Sequence, residues 1–294
     1  MAKVWLITGS SRGLGRALAE AVLAAGHKLI ATARNPEQLK DLSQRYSDQI
    51  RAVALDVTNA QAAADVMKIA VDTFGRLDVV VNNAGYANVN SVEDMAEDDF
   101  RAQIETNFFG VVNVSRAALP IMRAKRSGHI IQISSIGGRY ASPGLSAYQS
   151  AKWAVGGFSE VLAQEVAPLG IKVTVLEPGG MRTDWAGSSM HIDELRSDYQ
   201  PTVGAFSAAV RQHGGVSQSD PAKVARVILQ IADEKQPPLR LLAGSDAVFL
   251  GAAVSAERAK QDAKWKALSL STDVDGLPDF SETPIARMVV PEEK

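Results

Sequence analysis

The chain has 294 residues, 46% hydrophobic and 22% charged, with a formal net charge of −2. That is length for one large globular domain or two small ones. The near-neutral balance, with no long basic block, gives no footprint for nucleic acid or an anionic membrane. The absence of cysteine excludes disulfides, thiolate metal sites and a thiol nucleophile.

Val4, Trp5, Leu6 and Ile7 form an apolar run of strand length. Thr8-Gly9-Ser10-Ser11-Arg12-Gly13-Leu14-Gly15 follows, then an amphipathic stretch over 16–25 with Ala17, Leu18, Ala21, Val22 and Ala25 on one face. Strand, glycine turn and helix together aim backbone N–H groups and a helix N-terminus at a phosphate. The glycines permit the tight turn and the close approach. The spacing T-G-x-x-x-G-x-G differs from the commoner G-x-G-x-x-G, and an ordinary glycine turn is the alternative. Its place directly after the first strand favours a nucleotide site.

Further strands are predicted at 28–32, 50–54, 79–81, 129–133, 172–176 and 239–242, and helices over 60–74, 100–124 and 148–168. This alternation predicts an α/β fold with a doubly wound parallel sheet, whose ligands bind at the carboxyl ends of the strands. The glycine turn, Asn82 to Gly85, Ser134-Ser135 and Pro178-Gly179 each follow a predicted strand, and so converge on one cleft. The second strand ends in Thr32-Ala33-Arg34-Asn35. NAD-specific sites carry an acid here for the ribose 2′-OH. Arg34, with Arg12 in the glycine turn and no carboxylate, suits a 2′-phosphate instead. NADP is the expected cofactor, with NADPH preferred over NADH.

Tyr148 and Lys152 lie four residues apart, on one face of a predicted helix, and Ser135 lies thirteen residues before the tyrosine. A nearby ammonium favours the phenolate and lowers a phenol's pKa from its ordinary value near 10. Ser135 can hydrogen-bond a substrate oxygen and aim it at the phenol; Ser134 is the competing choice. This equipment moves a proton on or off an alcohol oxygen. Tyr-x-x-x-Lys alone is also a common surface pair on helices.

In order and spacing, Thr8 to Gly15, Asn82-Asn83-Ala84-Gly85, Asn107, Ser135, Tyr148 with Lys152, and Pro178-Gly179 with Thr183 resemble the classical short-chain dehydrogenase/reductase family, in its NADP-preferring form. The resemblance covers about residues 3 to 243 and implies a Rossmann-type, seven-stranded parallel sheet with helices on both faces. It implies a catalytic set of Asn107, Ser135, Tyr148 and Lys152, with Asn107 serving a proton-relay water and Lys152 also holding the nicotinamide ribose. Cofactor contacts are implied for Gly9, Ser11, Arg12, Gly13, Leu14 and Gly15, for Arg34, for Asp56 and Val57 at the adenine, and for Asn83, Ala84 and Gly85. Pro178, Gly179 and Met181 would wall the nicotinamide, and Thr183 would bond its carboxamide. From the residues alone, Asp56 could instead cap the helix begun near Asn59.

Residues 1–243 are expected to form a single dehydrogenase domain, with a substrate lid at about 180–215. Residues 244–294, a helix and a tail, form an extension of that domain that either covers the cleft or lies on the surface. Gly137, Tyr140, Trp185 and Met190 are the candidate pocket residues for a small-molecule ketone, aldehyde or secondary alcohol. No metal, nucleic-acid or membrane partner is expected; a homo-oligomer, dimer or tetramer, and a cytoplasmic location are. The rival readings are a non-catalytic dinucleotide-binding regulator, and a nucleotide-sugar epimerase or dehydratase sharing the Tyr and Lys. The first has no need of Tyr148, and the second is usually longer.

Overall fold

The structure, a computed structural model, describes residues 2–183, 195–213 and 218–289. Seven parallel strands form one sheet: β1 (Val4–Ile7), β2 (Lys28–Ala33), β3 (Ile50–Ala54), β4 (Val79–Asn82), β5 (Gly128–Ile133), β6 (Ile171–Pro178) and β7 (Arg240–Ala243). Their order is β3-β2-β1-β4-β5-β6-β7. The order reverses between β1 and β4, which opens a crevice at their carboxyl ends.

The central strands β1 and β4 read as apolar runs because helices cover both faces there. Alternate residues point to opposite sides. Trp5 and Ile7 pack with Leu18 and Val22 of α1 (Gly13–Ala24), Leu42 of α2 (Lys40–Tyr46) and Ile228 of α8 (Pro221–Asp233). Leu6 packs on the other face with Met67 of α3 (Ala60–Phe74), Val114 and Met122 of α5 (Gly110–Lys125) and Leu162 of α6 (Ser146–Val166). Helix α3 is closed at both ends by local chemistry. Asn59 caps it by accepting from the Ala62 amide at 2.9 Å, and Gly75 ends it in the left-handed conformation, φ 75°. Asp56 therefore does not cap this helix; it makes an Asx turn, accepting from the Thr58 amide at 3.0 Å.

The helix expected over 100–124 is broken in a way its sequence does not announce. Helix α4 (Glu97–Ile104) runs into a π-turn, Glu105–Phe109, before α5 resumes. Between α6 and α8, helix α7 (Ala205–His213) occupies part of the segment read as a lid.

At the amino edge of the sheet, away from the crevice, Asp78 joins three elements. It accepts from the Val4 amide at 2.8 Å, from Arg76 at 2.7 Å and from Lys125. The chain forms two compact units, residues 1–251 and 252–294, and the division falls inside α9 (Ser245–Leu270). The second unit holds the rest of α9 and a short α10 (Pro284–Val289), with Trp265, Leu277, Phe280 and Met288 exposed. Among the described residues, no helix is long and apolar enough to cross a membrane.

Candidate active site

A cleft of about 1380 Å³ lies along the carboxyl ends of the strands. At its floor, the glycine turn after β1 is pinned to the turn after β4. The Thr8 hydroxyl accepts from the amides of Asn83 and Ala84 at 2.9 and 3.0 Å, and Asn83 Nδ2 donates to the Thr8 and Gly9 carbonyls. Gly9 and Gly13 have φ of 68° and 55°, open to glycine without strain. A Cβ on Gly9 would also stand 3.0 Å from the Ala84 Cα. Arg12 opens α1 without capping it through its side chain, so the first N–H groups of that helix stand at the cleft for an anion to take. That cradle fits a dinucleotide pyrophosphate.

Gly9, Ser11, Arg12, Gly13 and Leu14 line the cleft, as do Arg34, Asp56, Val57, Asn83, Ala84 and Gly85. Gly15, expected among the cofactor contacts, does not. A Cβ there would overlap the Gly9 carbonyl and stand 2.4 Å from Asn83 Nδ2, so its glycine serves the packing of helix against turn. Arg12 and Arg34 are both exposed at this end, and among the described residues neither has an ion-pair partner. Gln38 lines the cleft beside Arg34, on the 3₁₀ turn Pro36–Leu39 that Asn35 caps.

Tyr148 and Lys152 stand one turn apart on α6, with only 8% and 4% of their surfaces exposed. The Lys152 Nζ donates to the Ile133 carbonyl at 2.8 Å and lies 5.6 Å from the centroid of the Tyr148 ring. Burial pushes the phenol up to about 12, against a hydrogen bond from Ser135 that favours the phenolate. Burial also pushes the Lys152 ammonium down to about 8. In the protein alone, desolvation thus outweighs the lowering of the phenol expected from its neighbour.

The two candidate serines point apart. Ser134 donates to the Lys152 carbonyl at 3.2 Å and so faces the α6 backbone. Ser135 Oγ accepts from the Gly137 amide at 3.0 Å, keeping its own proton for Tyr148 or a substrate oxygen. Asn107 is fully buried in the π-turn. Its Nδ2 donates to the Tyr86 and Gln103 carbonyls, both at 2.8 Å, and its Oδ1 accepts from the Tyr86 amide at 3.2 Å. The side chain ties the turn after β4 to the helix, and a Cβ on Gly85 would stand 2.5 Å from Oδ1.

Pro178, Gly179, Met181 and Thr183 form the facing wall, with Thr183 against Gly13. Beneath it Glu177 is fully buried, gripped by Arg240 at 2.6 Å and Arg139 at 2.5 Å. Arg139, although next to pocket residues in sequence, therefore turns away from the cleft. Burial would lower the Arg240 pKa, but its hydrogen bonds to Glu177 and Glu160 raise it on balance.

Gly137 and Tyr140 line the substrate end as expected. Trp185 and Met190, the other two pocket candidates, lie outside the described residues. Sequence reasoning missed Leu145, Gln149, Phe206 and Val210, and also Asp246 and Leu250 on the first turns of α9. Phe206 and Val210 share one face of α7 at i, i+4 spacing, a signal present in the sequence but indistinguishable there from core packing. Gln149 staples the neighbouring loop, bonding the Ser142 amide at 2.8 Å and its hydroxyl at 2.9 Å.

A doubly wound sheet with a nucleotide cradle, a buried Tyr–Lys pair and a serine at one strand end defines a dinucleotide-dependent oxidoreductase architecture. Residues 3–192 match the sequence profile of the short chain dehydrogenase family. The chain is 56% identical over 273 residues to "Oxidoreductase BOA17" of Botryotinia fuckeliana (strain B05.10), across 92% of this chain and all of that one. It resembles a short-chain dehydrogenase from Streptomyces avermitilis with a TM-score of 0.86 and 40% identity, again covering 92% of this chain and 100% of the other. An alcohol dehydrogenase from the archaeon Thermococcus sibiricus, solved with 5-hydroxy-NADP, aligns with a TM-score of 0.68 and 25% identity over 83% of this chain and 97% of its own. The chain belongs to the short-chain dehydrogenase family and is an oxidoreductase.

Proposed function

We propose that the protein is an NADP(H)-dependent reductase of an uncharged, apolar ketone or aldehyde, or in reverse a dehydrogenase of the secondary alcohol. The observation that carries the reading is the buried Tyr148 phenol, hydrogen-bonded to Ser135, with the Lys152 ammonium beside its ring. When bound, NADPH supplies the hydride that adds to the carbonyl carbon. Ser135 holds the carbonyl oxygen. Tyr148 donates its phenol proton to that oxygen as negative charge develops there, and Lys152 stabilises the phenolate left behind.

The raised phenol suits this direction, since Tyr148 keeps its proton at neutral pH. Arg12 and Arg34 would bind the 2′-phosphate, and the NADP analogue in the Thermococcus sibiricus enzyme supports that choice. The substrate end is lined by Tyr140, Leu145, Met181, Phe206, Val210 and Leu250. Among the described residues no cation but Lys152 lines it, and these largely apolar side chains suit an uncharged substrate. Phe109, Trp153 and Val161 on the helices carrying Asn107 and Tyr148 are exposed, which suits an apolar contact between copies in a homo-oligomer.

The test is NADPH absorbance against a panel of neutral aliphatic, aromatic and polycyclic ketones. Steady NADPH loss with a neutral ketone is expected. Tight NADPH binding with no turnover across the panel would favour a binding role and overturn the reading.

A further inference from the structure

Asp246 has no part in the chemistry above, yet it lies at the nicotinamide end of the cleft, in the first turn of α9. Its Oδ2 accepts from the Gly180 amide at 2.7 Å. A Cβ on Gly179 would overlap both of its carboxylate oxygens. Gly179 does not have a positive φ, so it is the carboxylate, not the backbone conformation, that demands glycine there. On the far side, a Cβ on Gly244 would stand 2.6 Å from Oδ1 and 2.5 Å from the Ser219 hydroxyl. The carboxylate is thus seated against glycine on both sides.

The same stretch of chain is held a second time. The Ser219 amide donates to the Gly180 carbonyl, and the Arg182 amide donates to the Ser219 carbonyl, both at 3.0 Å. Among the described residues, the Asp246 Oδ1 and the Ser219 hydroxyl oxygen are both buried without a hydrogen-bond partner. An unmade bond at a buried carboxylate oxygen costs stability. A carboxylate kept there despite that cost is better explained by what it positions than by what it stabilises. The first turn of a helix favours a negative charge, which offsets part of the cost.

We propose that Asp246 is a positioning residue for the reaction. By fixing the Gly180 amide it sets the wall formed by Pro178, Gly179 and Met181 at the distance a nicotinamide ring needs. The inference rests on the proposed dinucleotide chemistry. It assigns to the start of the C-terminal extension a part in the cleft.

The test compares Asp246→Ala and Asp246→Asn with wild type. Three quantities are measured: NADPH affinity from its nicotinamide fluorescence, affinity for 2′,5′-ADP, which fills only the adenosine end, and kcat. A charge-assisted hydrogen bond of this kind corresponds to roughly a tenfold or larger effect. Asp246→Ala is therefore expected to weaken NADPH binding and kcat by about tenfold each, with 2′,5′-ADP affinity unchanged. Asp246→Asn keeps a carbonyl acceptor for the Gly180 amide and should recover most of the loss. Gly179→Ala, whose methyl would displace the carboxylate, should repeat the Ala result and serves if Asp246→Ala does not fold. NADPH affinity and kcat at wild-type values in these variants would overturn the proposal, as would a parallel loss of 2′,5′-ADP binding. A wild-type protein that fails to bind NADPH would instead sink the reading of function, and this inference with it.

Discussion

At the scale of single residues, the proposed chemistry rests on a phenol that burial holds in its neutral form. Tyr148→Phe removes only the hydroxyl, so NADPH affinity should survive while kcat falls by at least about a hundredfold. Retention of more than about a tenth of kcat would exclude Tyr148 as the proton donor. Reduction needs the protonated phenol and should slow as pH rises; oxidation needs the phenolate and should speed up. Lys152 is the cation beside the ring, and without it the phenolate is less favoured. Lys152→Ala should therefore move the rising limb of the oxidation profile to higher pH, read from kcat/KM against pH with NADP⁺ and a secondary alcohol. A limb that stays in place in a still-active variant would show that Lys152 does not tune Tyr148. The pair was legible in the sequence because a helix brings i and i+4 together wherever it lies, and Ser135 because it stands just past a predicted strand end. Burial was not, and burial decides the direction of the phenol's shift.

Among the elements, the strands were readable almost to the residue. The central strands β1 and β4 are short runs buried on both faces and rich in β-branched and aliphatic residues, and the outer strands keep enough of that pattern to be recognised. The π-turn at Glu105–Phe109 escaped notice, since the phase shift of one inserted residue is hidden within the breadth of the apolar stripe that α5 carries on from it. Asp246 escaped for another reason: its role depends on α9 meeting the end of β6, a contact between residues far apart in sequence. The end of β2 was more informative, because a side chain just past a strand end has a fixed place over the cleft. If Arg34 binds the 2′-phosphate, Arg34→Ala should weaken NADPH by about ten- to a hundredfold relative to NADH. Adding Ala33→Asp should deepen the switch by accepting the 2′-OH and repelling phosphate. The measurement is kcat/KM with each cofactor. Equal loss of both would mean that Arg34 does not discriminate between them.

For the whole molecule, stability and chemistry sit at opposite edges of one sheet. Burial raises the Asp78 carboxyl, but hydrogen bonds from Arg76, Lys125 and the Val4 amide outweigh it and hold the group below its ordinary range. A carboxyl depressed on folding stabilises the protein above its unfolded pKa, near 3.9. That contribution is lost as pH falls through the folded value. Asp78→Asn should therefore cost about 2 kcal/mol in urea unfolding at neutral pH. Its acid limb should be shallower than that of wild type; identical acid limbs would show that Asp78 does not carry the effect. At the carboxyl edge, the strand order carries a different consequence. Arg34, the side chain proposed to discriminate between cofactors, hangs from the β2 wing, and the side chains that would receive the substrate come from α6, α7 and α9 beyond the β5–β7 wing. Only the centre, at β1, β4 and β5, is common to both. On the proposed function, a descendant of this gene could change what it reduces while drawing on the same pool of electrons, or change the pool while keeping its substrate.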